Sequence, residues 1–596
     1  MTSTRRWLER AVIGGVILLA LAQGVVAQPA AGVGDDQTTH AQAVDDAAQS
    51  QAAPLAAPAA SDQPAQQDPG EAAQVEHPAG TQSADAHAAS AHAKHSPHPA
   101  WIIPFAVMLL SIALFPLFAP HWWEHRYPWV AAMLFCVGLL YYAAVRRDLH
   151  PWLHEMREYV SFISLLFALF VVSGGIAIHV SRRATPSANV VLLFSGAILA
   201  NLFGTTGAAM LLIRPYIRMN RAHIKPYHII FFIFIIANVG GCLTPIGDPP
   251  LFLGYLKGVP FWWVLQHCWQ PWLVANALLL GVFFIIDKLD HAKVRRDEPP
   301  EHDSGPAVRI NGVLNFVLIL LVVVAVFRPS VFDAAAALME GGVTPDKIFH
   351  LLLSREVLMV ATALASLRMT HRGVYEQNEF TFTPIREVAI LFLAIFSTMV
   401  PALEYLDANA DRLPLRTPGN FYFATGSLSS VLDNAPTYLT FLQARLGAIP
   451  QEQVDQIQQI TDEIYLAYEQ DPSLPLVSHI PEDVDPQVRQ ALYAVIRYHA
   501  DDIISHKGHV DPNELKLGFL IGVPELNAYL IAISIGAVFF GAFTYIGNAP
   551  NFMVKSIAEA SGIKMPTFLG YVVRFAVPIL LPVLVIIWAV FFLRHG

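Results

Sequence analysis

The chain has 596 residues, of which 54% are hydrophobic and only 14% are charged, and its mean hydropathy is +0.45. Soluble proteins carry about 25% charged residues, and this chain also holds repeated apolar runs long enough to cross a bilayer. Composition therefore excludes an ordinary soluble protein. The formal net charge of −10 argues against nucleic acid as a partner, and it comes from two polar stretches, 28–98 and 445–516.

The first 27 residues are typical of a secretory signal. Three arginines precede the apolar run AVIGGVILLALA, and the small residues Val25-Val26-Ala27 come before a possible cleavage point. Cleavage after Ala27 would leave the mature N-terminus outside the cytoplasm. An uncleaved first span is the alternative, but the apolar core is only about a dozen residues long, which is short for a crossing.

Residues 28–98 consist mostly of Ala, Gln, Pro, Asp and His. A segment with so few large apolar side chains cannot bury enough surface to offset the entropy of ordering. We therefore predict a disordered exterior tail. Its histidines could bind zinc, copper or nickel loosely, but their irregular spacing favours a solvated tail.

Apolar runs predict ten membrane crossings in the rest of the chain. The predicted crossings are 101–119, 127–145, 158–180, 227–256, 270–287, 310–327, 350–367, 387–406, 518–556 and 567–592. Two further apolar segments, at about 188–213 and 419–443, are interrupted by Gly, Pro, Asn or Asp. These two are set apart as re-entrant hairpins.

The basic residues of the loops test this topology, because cytoplasmic loops carry an excess of Lys and Arg. If the mature N-terminus is outside, the cytoplasmic loops hold 17 basic residues and the short outside loops hold nine. The distribution supports the scheme. It places the hydrophilic stretch 445–516 outside. The pattern of this stretch predicts an inserted subdomain of polar helices, with no motif that indicates a function.

An internal duplication appears when the chain is compared with itself at an offset of 300 residues. GCLTPIGDPPLF (241–252) then aligns with GAFTYIGNAPNF (541–552), and six of the twelve positions are identical. Most of the shared residues are helix breakers or polar groups, which are not expected inside a spanning helix. Each of these breaks also follows one of the predicted hairpins, so the order of hairpin and broken helix occurs twice.

Five predicted crossings separate the two hairpins, so the hairpins enter from opposite faces and the repeats are inverted. Inverted repeats with broken helices are typical of secondary carriers, whose substrate site lies near the middle of the membrane. Such breaks are tolerated where they are buried in protein or line a polar cavity. The predicted fold class is thus an all-α polytopic membrane protein with ten crossings and two re-entrant hairpins in two inverted repeats.

Two carboxylates lie inside these interrupted segments, Asp248 in TPIGDPP and Asp433 in SSVLDNAP. A charged side chain at membrane depth is costly, so it indicates a functional site. Each has a structural alternative. Asp248 precedes a proline and could cap the half-helix that follows, and Asp433 could form a turn with Asn434.

Neutral oxygens surround both carboxylates in the sequence, and hard cations such as sodium favour a shell of oxygen donors. Each Thr or Ser could instead serve helix packing, but together they favour a cation and proton site. The candidate residues besides the two aspartates are Thr205, Thr206, Thr244, Ser429, Ser430, Asn434, Thr544, Asn548 and Asn551.

Four segments resemble a known family. The strings are NLFGTTGAAMLLIRPYIRMN (201–220), NVGGCLTPIGDPPLFLGYLKGVPFWW (238–263), SSVLDNAPTYLTF (429–441) and YIGNAPNFMVKSIAE (545–559). They are similar to the NhaD-type sodium/proton antiporters of the ion transporter superfamily, which also contains divalent anion/sodium symporters and arsenite carriers. The resemblance covers about 100–444 and 517–594; the His-rich tail and the 445–516 insertion depart from the pattern.

The resemblance implies exchange of sodium or lithium for protons across the inner membrane, by an elevator-like or rocking motion and as a homodimer. It also implies that Asp248, Asp433, Asn434 and Asn548 bind the cation or the proton. One alternative is a sodium-coupled carrier of organic or inorganic anions on the same scaffold. Another is a membrane-anchored metal sensor that uses the histidine tail.

The sequence contains no nucleotide loop, nucleophile motif or metal-ligand spacing, so we expect no enzyme, no cofactor and no metal beyond the transported cation. Its three cysteines have no paired spacing and favour a packing role. The predicted segments are a signal peptide 1–27, a tail 28–98, a first repeat 99–287, a cytoplasmic linker 288–309, a second repeat 310–444 and 517–596, and an exterior, periplasmic insertion 445–516.

Overall fold

The computed structural model describes residues 96–180, 185–221, 223–294, 308–339, 344–472, 475–481, 484–505 and 508–595. The predicted signal peptide and nearly all of the predicted tail lie outside these residues. So does the middle of the predicted linker.

The described chain is built almost entirely from helices. They are α1 (Ile103–Phe118), α2 (Pro120–Leu140), α3 (His150–Gly174), α4 (Pro186–Met219), α5 (Pro226–Ile235), α6 (Pro249–Leu256), α7 (Phe261–Val294), α8 (Leu314–Val326), α9 (Val331–Met339), α10 (Pro345–Leu352), α11 (Arg355–Met369), α12 (Arg372–Gln377), α13 (Thr383–Asn409), α14 (Pro418–Ser429), α15 (Asn434–Gly447), α16 (Gln451–Gln470), α17 (Pro486–Ser505), α18 (Pro512–Gly522), α19 (Pro524–Phe540), α20 (Ala549–Ala560), α21 (Phe568–Tyr571) and α22 (Leu581–Phe591). Two short strands, β1 (Ala177–Val180) and β2 (Val308–Asn311), form one antiparallel pair. Segments of π-helix extend α2 and join α21 to α22.

By length and composition, eight of the described helices could cross a membrane, or ten if each of two bent pairs forms one span. The bent pairs are α8 with α9, at 53°, and α10 with α11, at 59°. Large apolar side chains face outward on the first two helices, where Phe118 is 81% exposed and Trp129 is 72% exposed. Such exposure suits contact with lipid. The predicted all-α polytopic membrane protein is confirmed.

One of those eight long helices, α4, does not cross but folds back on itself. Its backbone leaves the helical conformation at Gly204, with φ 72° and ψ 156°. The side chains of Asn189 and Asn220 then exchange two amide hydrogen bonds of 2.9 Å. A straight helix would separate these residues by about 46 Å, so α4 is the first predicted hairpin.

The second predicted hairpin is formed by α14 and α15, which reverse direction at Asp433. The rings of Phe421 and Phe441 pack against each other with centroids 6.4 Å apart. A continuous helix would place these residues about 30 Å apart. Both interrupted segments of the sequence are therefore helical hairpins.

Each hairpin is followed by a crossing that is broken in the middle. In the first half, α5 leads into a break that ends at Asp248, and α6 continues the span. In the second half, α19 and α20 flank the matching break. A proline follows closely after each break, where its missing N–H costs no helical hydrogen bond.

The two breaks bind their hairpins with the same hydrogen bonds. Thr244 Oγ1 donates to the backbone carbonyl of Asn201, and Thr544 Oγ1 donates to that of Ser430, each at 2.6 Å. Each threonine also accepts a bond of 3.1 Å from the N–H of the glycine three residues later. Equal bonds at equivalent positions support the duplication seen in the sequence.

Two short strands bring distant parts of the chain together. Strand β1 forms the end of the third predicted crossing and β2 lies at the start of the sixth, and they pair in register from Ala177 with Asn311 to Val180 with Val308. The predicted topology places these two ends on the same side of the membrane. The third predicted crossing, 158–180, was too long at its end. Helix α3 ends at Gly174, and the last four residues of that prediction form β1.

The 445–516 stretch contains α16, α17 and the start of α18, and its helices pack through apolar faces. Val454 and Ile457 of α16 are buried, as are Val488 and Leu492 of α17. An ion pair of 2.8 Å between the ammonium of Lys516 and a carboxylate oxygen of Asp407 joins the end of this stretch to α13.

Candidate cation site between the hairpin tips

The carboxylate of Asp248 is completely buried, with no exposed surface. In the described part of the chain, three neutral side chains donate hydrogen bonds to it. Thr205 Oγ1 lies 2.7 Å from Oδ1, Asn548 Nδ2 lies 3.1 Å from Oδ1, and Asn434 Nδ2 lies 2.6 Å from Oδ2. A buried carboxylate thus keeps its hydrogen bonds without a basic side chain as donor.

Four separate elements supply these groups. Thr205 lies at the tip of the first hairpin, Asn434 begins the second arm of the second hairpin, and Asp248 and Asn548 end the two breaks. The tips of both hairpins therefore meet at one carboxylate. Two inverted repeats whose hairpins enter from opposite faces are expected to meet in this way.

The numbering shows where the second repeat is longer. Thr205 and Asn434 are equivalent in the two hairpins and are 229 residues apart, as are Asn201 and Ser430. The breaks, however, are 300 residues apart. The 71 extra residues between hairpin and break match the stretch between α15 and α19.

The structural alternative for Asp248, a cap on the next half-helix, holds for its backbone position but not for its side chain. Its backbone has the N-cap conformation before α6, with φ −140° and ψ 142°, but its side chain makes no capping hydrogen bond. Both carboxylate oxygens instead accept from the hairpins and from the second break.

Asp433 behaves differently. Its Oδ1 accepts a hydrogen bond of 3.1 Å from the backbone N–H of Ala435, so the side chain caps α15. The structural alternative, a turn at the hairpin tip, therefore describes this contact. The neighbouring Asn434, rather than Asp433 itself, reaches Asp248.

The remaining candidates hold the tips in place or line the space beside them. Thr244 and Thr544 fix the hairpin tips to the breaks, as described above. Ser430 Oγ donates to the carbonyl of Ser427 at 2.7 Å, within its own helix. Thr206 is half-buried beside a cavity.

Asn551 acts inside the second break. Its Nδ2 donates to the carbonyls of Gly541, at 2.7 Å, and Thr544, at 2.9 Å. Those carbonyls lack helical partners because the helix is interrupted there. Ser429 likewise donates from Oγ to the carbonyl of Ala537 at 2.6 Å, which ties the second hairpin to α19.

Sequence reasoning missed Asn238, which is completely buried. Its Oδ1 accepts from Asn548 Nδ2 at 3.2 Å, and its Nδ2 donates to Asn551 Oδ1 at 2.7 Å. It therefore joins the first broken crossing to the second. The sequence did contain a clue, because this polar residue directly follows the apolar run IIFFIFIIA at membrane depth.

The site also contains an oxygen that is free to accept. Asn434 Oδ1 is buried and has no hydrogen-bond partner among the described residues. An amide oxygen next to a carboxylate is a suitable ligand pair for a hard cation. The nearby threonine hydroxyl and asparagine amides can also present oxygens after a rotation of the side chain.

A cavity of about 80 Å³ adjoins the tip of the first hairpin. Thr205, Thr206 and Gly247 contribute to its wall, and the side chains of Leu169 and Phe252 make much of the rest apolar. This volume has room for a few water molecules or an ion. Pockets for organic ligands are typically about 300–1,000 Å³.

A comparison with protein families identifies the chain. Residues 94–592 match a family model described as "Putative citrate transport". The match covers most of the chain, so the protein belongs to this family of membrane transporters within the ion transporter superfamily. No curated protein matches the chain.

Proposed function

We propose that this member of the transporter family is a secondary active carrier that exchanges sodium or lithium ions for protons. Asp248 is the carboxylate that binds either ion. The observation that carries the proposal is the complete burial of Asp248, in the first break, among neutral hydrogen-bond donors from both hairpins and the second break. Burial of an ionisable group at membrane depth costs free energy, and binding of a transported ion is a function that accounts for its presence.

Competition at one carboxylate couples the two ions. Ionised Asp248 attracts a cation, with Asn434 Oδ1 as a further ligand. Protonation removes the negative charge and releases the cation. Because the hairpins enter from opposite faces, the site can be reached from either face when one hairpin moves relative to the other.

The direct experiment uses the purified protein in vesicles with an acidic interior. Addition of sodium outside should make the interior more alkaline, because sodium enters as protons leave. Asp248→Asn keeps the shape of the side chain but removes its charge, so this variant should give no sodium-dependent signal. Full exchange by Asp248→Asn would contradict the proposal.

A second candidate is a carrier of citrate or a similar organic anion that is coupled to a cation. The family description favours it. In that case Asp248 would bind the coupling cation, and the anion would need a larger space than the cavity of about 80 Å³. Accumulation of labelled citrate in vesicles with a sodium gradient, without proton exchange in the absence of citrate, would favour this candidate.

We also propose that the protein lies in the inner membrane as a homodimer, with the 445–516 helices on the periplasmic side. The excess of basic residues in the opposite loops supports this orientation. The homodimer follows from the resemblance to the antiporters.

A further inference from the structure

A second cluster of ionisable groups lies at the start of α3, away from Asp248. It consists of His154, Glu155 and Glu158, whose potential ligand atoms all lie within 4.8 Å of one another. The positions i and i+4 share one face of a helix, so His154 and Glu158 are adjacent. Their side chains approach to 3.6 Å, between Nδ1 and Oε1.

The two glutamates are buried and incompletely paired. Their side chains are only 8% and 9% exposed, and Oε1 of each contacts the ammonium of Lys257. Oε2 of each is buried without a hydrogen-bond partner among the described residues. An unpaired buried oxygen is costly.

Two arginines line the cavity beside Glu158, and neither donates a hydrogen bond to the two Oε2 atoms. Arg355 lines the same cavity as Glu158, but its Nε lies 3.0 Å from Glu356 Oε1 and its Nη2 lies 3.1 Å from Ser161 Oγ. Arg157, also in the lining, lies over the ring of Phe332 at 5.8 Å. Within the part of the chain that the structure describes, the two Oε2 atoms therefore have no hydrogen-bond donor, and a bound cation would satisfy them.

Imidazole and carboxylate groups are both zinc ligands, and imidazole also suits copper, iron and nickel. Around tetrahedral zinc, ligand atoms at about 2.1 Å from the metal are roughly 3.4 Å apart, so small side-chain rotations would close the present spacing. A cavity of about 700 Å³ lined by His154 and Glu158 provides access, and the side chain of His154 is 56% exposed.

We propose that His154, Glu155 and Glu158 bind a divalent transition-metal cation, with zinc as the best match. The site lies on the same side of the bundle as the 445–516 helices, since His499 and Glu514 line the same cavity. Lys257 would compete with the metal ion for the two carboxylates, because its ammonium already contacts both of them. This site is independent of the ion that the carrier transports.

The test titrates the full-length protein in detergent with zinc chloride and counts bound zinc by equilibrium dialysis. The wild type should bind one zinc ion with high affinity that His154→Ala and Glu158→Gln do not bind tightly. Loss of a ligand should lower the affinity for that zinc ion by at least about tenfold, since even a change outside the ligand shell lowers metal affinity roughly 10–100-fold. The matched control is His150→Ala, which removes an exposed histidine one turn earlier in the same helix.

The variant Lys257→Gln distinguishes a metal-binding role of the cluster from a purely structural salt bridge. Removal of the competing ammonium should tighten zinc binding, whereas a purely structural role would leave it unchanged. The predicted tail has its own histidines, but all the variants share them, so the differences report on this cluster. Equal zinc number and affinity in the wild type, His154→Ala and Glu158→Gln would overturn the proposal, and so would unchanged affinity in Lys257→Gln.

Discussion

Asp248 and Asn548 occupy the same position in the two halves of the chain, 300 residues apart, and Asn548 Nδ2 donates to Asp248 Oδ1 at 3.1 Å. The inverted repeat brings these two positions into contact. Two aspartates here would repel each other, whereas aspartate and asparagine form a charge-assisted hydrogen bond. The pair thus keeps one negative charge at the meeting point of the repeats.

The two carboxylates singled out by the sequence should differ in their importance for exchange. Asp248→Asn should abolish sodium-dependent proton movement in vesicles, because it removes the charge for which the two ions compete. Asp433→Asn should retain a substantial part of it, since asparagine also caps helices well and would preserve the bond to Ala435. Equal loss in both variants would instead place Asp433 in the binding site.

The hydroxyl of Thr205 should contribute to binding at Asp248. Thr205→Val removes the donor while preserving the shape, and a hydrogen bond to a charged group is worth about 1.5–3 kcal/mol. We therefore expect a clear rise in the sodium concentration that gives half-maximal exchange. Thr205→Ser keeps the hydroxyl and should stay close to the wild type. If serine and valine behave alike, packing rather than the hydrogen bond explains the residue.

Gly247 should tolerate no side chain. A Cβ at this position would lie 2.1 Å from the carbonyl oxygen of Gly241, which is backbone and cannot move aside cheaply. Gly247→Ala should therefore distort the first break and eliminate exchange. The control is Gly281→Ala in α7, where a Cβ meets no atom within 4 Å. Comparable exchange by the two alanine variants would show that the break can adapt.

A polar network should anchor the base of the first hairpin. Asp287 is 4% exposed and accepts hydrogen bonds from Asn189, at 2.9 Å, and Tyr227, at 2.8 Å, with His228 Nε2 at 3.1 Å. Asp287→Asn should lower the free energy of unfolding by about 1.5–3 kcal/mol, because asparagine cannot accept all three bonds with a full charge.

Thermal unfolding in detergent would measure this loss. The control Asp290→Asn lies less than one turn further on, and its side chain is 17% exposed where it pairs with Lys225. Its partner Lys225 is 46% exposed, which weakens the ion pair, and Asp290 accepts only a long bond of 3.4 Å from Tyr227, so the control should lose less stability than Asp287→Asn. A larger shift in Asp290→Asn than in Asp287→Asn would refute the anchoring role.

Hydropathy and the position of helix breakers were enough to predict the membrane class, the two hairpins and the two broken crossings. A lipid bilayer requires long apolar helices whose backbone groups are all hydrogen-bonded, so an interruption of such an apolar run can be recognised in the sequence. The same reasoning overestimated the third crossing, because apolar residues after Gly174 continue the pattern while the backbone turns into a strand. It also could not separate Asp248 from Asp433, since both are isolated acids among breakers.

The tertiary structure decided what the sequence left open. Asp248 binds Thr205, Asn434 and Asn548, from positions 43, 186 and 300 residues away, and no local pattern encodes which distant donors meet. The side chain of Asp433 instead accepts a hydrogen bond from the backbone N–H of Ala435, two residues later. The sequence thus determined that acidic groups lie at membrane depth in a duplicated scaffold. The packing of the inverted halves decided which one sits at their centre, because a side chain's partners depend on how the elements cross rather than on its neighbours along the chain.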